Sequence, residues 1–142
     1  AYIGTDIWDQ IYPFEKDKAS TATAKKFAQN VLGYRWAANS ASRQGKVRYI
    51  RNGKLENTPS GTYDICNGIN SIRYCVESPD GILQAVKSAE SVMRYADSGI
   101  SAGIFNDAKS YRTACLGFPV EALESEDSIN EIIRLTLEFF SR

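Results

Sequence analysis

The side chains suited to chemistry fall into three groups. Glu121, Glu124, Glu126 and Asp127 place carboxylates close together, as general acid–base work requires. Lying just ahead of an amphipathic segment, they also suit a helix start, where negative charge meets the positive end of the dipole. Cys66, Cys75 and Cys115 supply the thiols. Tyr34, Trp36, Arg43, Arg48, Tyr49 and Arg51 interleave aromatic and basic groups, as a nucleic-acid surface does. The chain contains no histidine. That removes the usual general base, the Ser–His and Cys–His nucleophiles, and the commonest zinc and haem ligand. No CxxC pair gathers thiols for a metal. The composition therefore points to a non-enzyme without metal or cofactor. An enzyme working through carboxylates or a lysine of perturbed pKa is the third-ranked reading.

At 142 residues, with 43% apolar and 24% charged side chains, the chain fits one folded domain and not a disordered segment. No apolar run reaches the roughly 20 residues that cross a bilayer as a helix. A start at Ala1, without an initiator Met, fits either a processed exported chain or a trimmed one. Seventeen basic and seventeen acidic residues balance, but unevenly along the chain. Lys16 to Lys54 holds ten Lys or Arg against the single acid Asp17. From Leu55 onward, seven basic residues face thirteen acidic ones. Such asymmetry marks either a basic binding face or two halves that neutralise each other.

Periodicity suggests helices as the positioning elements. In Ser78–Gly103, Ile82, Val86, Ala89, Met93, Ala96 and Ile100 recur every three or four residues behind a Ser-Pro-Asp start, predicting a central helix. Ser20–Ser42 reads as a second helix, with Ala24, Phe27, Val31, Tyr34, Ala38 and Ala41 on one face. Ile65, Cys66, Ile69, Ile72 and Val76 predict another over Thr62–Val76. Asp107 caps a further one through Leu116, and a short helix around Ile7, Trp8 and Ile11 ends at Pro13. The last helix has Ser128 and Glu131 as a capping box, and Ile129, Ile132, Ile133, Thr136, Leu137 and Phe140 as its buried stripe. Only KVRYIRNGKLE alternates, and Asn52-Gly53 favours a tight type I′ hairpin over about 46–56. The expected fold is mainly α: a single-domain bundle of four or five helices over 1–142, with one small basic β-hairpin.

On the predicted helix, Cys66 and Cys75 stand about 13 Å apart along the axis and on opposite faces. A disulfide needs Cα atoms within roughly 7 Å, so an intrachain bond would have to use Cys115. Cys66, on the core-facing stripe, is the better partner, and the bridge would contribute about 3–4 kcal/mol in an oxidising compartment. Three reduced, buried thiols in a cytosolic protein are the alternative.

Gly61 through Cys66, Tyr95 to Gly103, and Cys115-Leu116-Gly117-Phe118-Pro119-Val120 leading into Ile129–Phe140 resemble the pattern of the Tai-type amidase-immunity proteins of the type VI secretion system. The resemblance implies a disulfide-tied, helical periplasmic protein that blocks a partner enzyme by occupying its cleft.

The expected function is thus an exported, periplasmic or secreted protein-binding module, of inhibitor or immunity type, with cytoplasmic placement if all thiols are free. The partner is another protein, an enzyme or a second copy of the chain. Arg48, Tyr49, Arg51, Asn52 and Lys54 on the hairpin form the expected contact, because a rigid turn enters a groove at little entropic cost. Trp8 and Tyr12 are further contact candidates. A cytosolic nucleic-acid-binding domain using the basic 25–54 segment is the alternative.

Overall fold

A computed structural model describes residues 2–3, 18–51, 54–55, 61–62, 76 and 78–142. It is mainly β, not a helical bundle. At its centre is β8 (Ser101–Asp107), six of whose seven residues are buried. A strand covered on both faces carries apolar or small residues at consecutive positions, and SAGIFN is such a run. Antiparallel β7 (Ala89–Tyr95) and β9 (Arg112–Leu116) flank it. Beyond β7 lies β3 (Lys46–Arg51), which carries the short edge strands β4 (Lys54–Leu55) and β5 (Gly61–Thr62). At the opposite edge, β1 (Tyr2–Ile3) pairs parallel with β9. A separate ladder joins β2 (Tyr34–Ala38) to β6 (Gly81–Gln84).

Register places the cores. Val47 pairs with Tyr95 and Tyr49 with Met93, so these four share one sheet face. They pack with Leu116 of β9, with Phe118 just after it, and with Ile132 of the C-terminal helix α2 (Glu126–Ser141). Phe105 pairs with Ala114, and both meet Phe139 of the same helix. Ile104 pairs with Cys115 and packs with Tyr34, Ile82, Ala28 and Leu32. The last two lie in a wide π-type turn, Ala28–Leu32, that extends helix α1 (Lys18–Phe27).

Buried polar groups fix the joints. Asn106 is fully buried; its amide donates to Val31 O at 3.0 Å, and its Oδ1 accepts from Ser88 Oγ at 2.7 Å. Gly33 ends the π turn at φ +86°, and a Cβ there would come within 2.7 Å of Asn106 Cβ. Asp80 is also fully buried. Its amide donates to Gly117 O at 2.7 Å, and its carboxylate accepts from Trp36 Nε1 at 2.9 Å. The Tyr95 hydroxyl lies 2.8 Å from Asp80 O and 3.1 Å from Gly117 O. This junction ties both sheets together.

The expected bundle is corrected element by element. Ser78–Gly103 contains β6, β7 and the start of β8. Its three-and-four spacing is misleading, because the ladder is irregular between Ser91 and Met93. Ala89 belongs to one core and Met93 to the other, although they stand four apart. The helix expected after Asp107 is β9, entered through a tight turn in which Ala108 N donates to Tyr111 O and Lys109 takes φ +61°. The helix expected over Ser20–Ser42 stops at Gly33 and continues as β2. The β3–β4 hairpin forms as expected, with Arg51 opposite Lys54, but β3 is also part of the main sheet. The last helix is present, starting from Ser125 and not Ser128. The helices expected near Trp8 and over Thr62–Val76 fall largely outside the described residues.

Close approach at the junction yields a stability test. A Cβ on Gly117 would lie 1.9 Å from Asp80 O, so Gly117→Ala forces backbone apart and costs about 3 kcal/mol. Gly99 has φ +71° but open space around it, so Gly99→Ala costs only about 1 kcal/mol. Urea midpoints of the two variants measure the difference.

Candidate functional site

Between the C-terminal half of α2 and the sheet lies a cleft of about 580 Å³. Met93 and Phe105 contribute from the sheet, Leu135 and Phe139 from the helix, and Arg51, Glu90 and Arg142 bring charge to it. The hairpin supplies one wall. Tyr49 is buried, with the Arg51 guanidinium 5.2 Å from its ring centre. Arg51 Nη2 meets Glu131 Oε1 at 2.5 Å, so the hairpin is clamped to the helix. Arg134 takes the same carboxylate with two N–H groups at 2.8 Å and also reaches Glu138. These hydrogen bonds, from Arg134 first and Arg51 second, hold the Glu131 carboxyl down at about 2.

The sequence candidates therefore separate. Tyr49 and Arg51 come together at the cleft, while Arg48 points to the opposite sheet face. Lys54 lies opposite Arg51 in β4. Asn52, Trp8, Tyr12, Cys66 and Cys75 lie outside the described residues. Cys115 is a free thiol, fully buried, with Sγ 4.0 Å from Leu32 O. Burial pushes it up to about 12, so it is protonated and inert at neutral pH. Glu121, Glu124, Glu126 and Asp127 are all exposed around the start of α2. Asp97 folds into the turn before β3. Burial raises its pKa, but hydrogen bonds from Arg43 N, Ser42 Oγ and Gln44 N outweigh this and bring it below the usual value.

A surface missed by the sequence reading lies on α2 itself. Ile132 and Phe139 are buried, but Ile133, Leu137 and Phe140 are 46%, 62% and 36% exposed. Tyr111 is exposed beside them and shares a 220 Å³ hollow with Lys109, Arg112 and Phe140. The signal was available: from Leu135 round to Leu137 the apolar residues cover roughly 200° of the helix at 100° per residue. A helix that lies on a core needs an arc only a little over 100° wide.

Comparison with protein-family models, with curated proteins and with solved structures finds no match to this chain.

The Glu131 clamp gives a pH dependence of definite sign. Its folded pKa is depressed from 4.5 to about 2, so its stabilisation is present above 4.5 and lost as pH falls through about 2. Urea midpoints of the wild type and Glu131→Gln should differ most above about pH 5 and converge near pH 2.

Proposed function

We propose that this chain works by binding another protein without catalysis, using the outward arc of α2. The observation that carries this reading is the Ile133–Leu137–Phe140 stripe, exposed on a helix whose opposite side is anchored by Ile132 and Phe139. Residues spaced i, i+4 and i+7 are the anchors by which one helix enters an apolar groove. Lys109 shares the hollow beside Phe140. It meets no carboxylate among the described residues, so the fitting partner carries an apolar groove with an acidic group at the rim beside that lysine.

The local chemistry agrees with this reading. General acid–base catalysis works best with groups poised near the operating pH. Glu131 and Asp97 are moved down and Cys115 up, all away from neutrality. Support for a nucleic-acid surface is weaker than the sequence suggested. Tyr34 and Tyr49 are buried, and the Trp36 indole N–H is committed to Asp80, so these rings do not form an exposed stacking platform. The finer reading, an exported inhibitor seated in an enzyme's cleft, draws on the basic hairpin, on the absence of histidine and on the Tai-type resemblance.

A photoreactive side chain at position 137 should trap the partner in the native source, and calorimetry with the purified candidate then measures affinity. Leu137→Asp is expected to weaken binding by about a hundredfold, the size of one hot-spot contact, while leaving the unfolding free energy from urea titration within about 0.5 kcal/mol of wild type. Equal affinity for wild type and variant overturns the reading. Capture of a second copy of the chain also overturns it, in favour of self-association.

A further inference from the structure

We propose that Arg48 and Arg94 form an oxyanion site that takes a single carboxylate or phosphate group. The two arginines are direct register partners on β3 and β7, so they leave the same sheet face side by side. Like charges directly opposite each other destabilise a ladder. Both residues are half-buried, which reduces the screening that water gives an exposed pair. The Arg48 Nε is shielded from solvent and has no hydrogen-bond acceptor among the described residues. A shielded, unmet donor of this kind is rare in a folded protein and calls for a physical cause. Arg94 spends one N–H on Gly99 O at 2.8 Å, which fixes its guanidinium and leaves its other donors for a ligand.

Among the described residues, the carboxylates of Asp97 and Glu90 do not fill the position. Ala96 N donates to Lys46 O, which brings the Asp97 turn alongside β3. The Asp97 carboxylate is nevertheless held by Ser42, Arg43 N and Gln44 N. Glu90 belongs to the cleft, which Tyr49 and Met93 line from the other sheet face. Lys46, two residues before Arg48 on the same face of β3, is exposed and adds a third positive charge. Two planar forks and an ammonium suit one compact oxyanion, because guanidinium groups grip carboxylate and phosphate in pairs of parallel hydrogen bonds. The site lies on a different element from the α2 stripe and stands independently of what that helix binds.

The experiment is a titration of the full chain with inorganic phosphate and with acetate, following the arginine Nε–H signals by nitrogen-15 NMR. A saturable shift at Arg48 Nε is expected with at least one of the two, and the tighter one identifies the phosphate or carboxylate source. Arg48→Gln and Arg94→Gln should each weaken that binding about tenfold or more, and Arg48→Lys, which keeps charge but loses the fork, should fall between. Arg48→Gln should be at least as resistant to urea as wild type, since it relieves the like-charge pair. Shifts that never saturate, or that persist in Arg48→Gln, overturn the site. So does an Arg48→Gln chain that no longer folds. Oligothymidylate binding a hundredfold more tightly than phosphate, with a steep salt dependence, would replace a single-group site with a nucleic-acid track.

Discussion

Burial of β8 on both faces is the constraint from which the rest of the architecture follows. Ser101 to Asn106 are all removed from water, so each face of that strand needs its own cover. α2 covers one face, with Phe139 against Phe105 at a ring separation of 4.8 Å. The π turn after α1, together with β2 and β6, covers the other through Leu32, Tyr34 and Ile82. The two polar side chains in the run are satisfied internally. Ser101 pairs with Ser91 Oγ and Gly103 O, and Asn106 with Val31 O and Ser88 Oγ. Buried polar groups cost little when fully hydrogen-bonded, and they fix the register in which the layers meet.

Two clamps link this layered core to its surface. The Asp80–Gly117–Tyr95 junction holds the β2–β6 ladder to the main sheet through backbone contact too close for any side chain at position 117. The Arg51–Glu131 pair holds the hairpin to α2, and Arg134 strengthens it by sharing the carboxylate. With α2 fixed along one side, its remaining apolar arc stays in water. An arc this wide is more than the fold itself uses, which is the physical content of the binding proposal.

How far this was legible depends on the segment. The β3–β4 hairpin was readable because alternation and an Asn-Gly turn agree. The last helix was readable because its apolar residues recur over four turns, although the expected stripe reaches too far round it. Ile129 and Ile132 face the core as expected, and Phe139, outside that stripe, is buried too, whereas Ile133, Leu137 and Phe140 stay in water. The region 78–116 failed for a definite reason. Strands buried on both faces lose their alternation, and small residues such as Ala89, Ala96 and Ala102 are equally at home in helices. A ladder irregularity at Ser91–Met93 then shifts the parity, leaving a chance spacing of three and four. Gly33, which stops the π turn in a left-handed conformation at φ +86°, sits inside an apparently continuous helical stripe, and the close approach of Asn106 from a distant strand adds a second need for glycine there. The Arg48–Arg94 pair was half visible: Arg48 stood out, but its neighbour is set by strand register alone.

Native-state hydrogen exchange addresses the central claim most directly, because protection follows how deeply a hydrogen-bonded backbone is covered. A doubly covered β8 predicts that amides between Ala102 and Asn106 exchange most slowly of all those in the described chain, opening only with global unfolding. Exchange of those amides as fast as that of Arg51 at the exposed end of β3 would contradict the layered account.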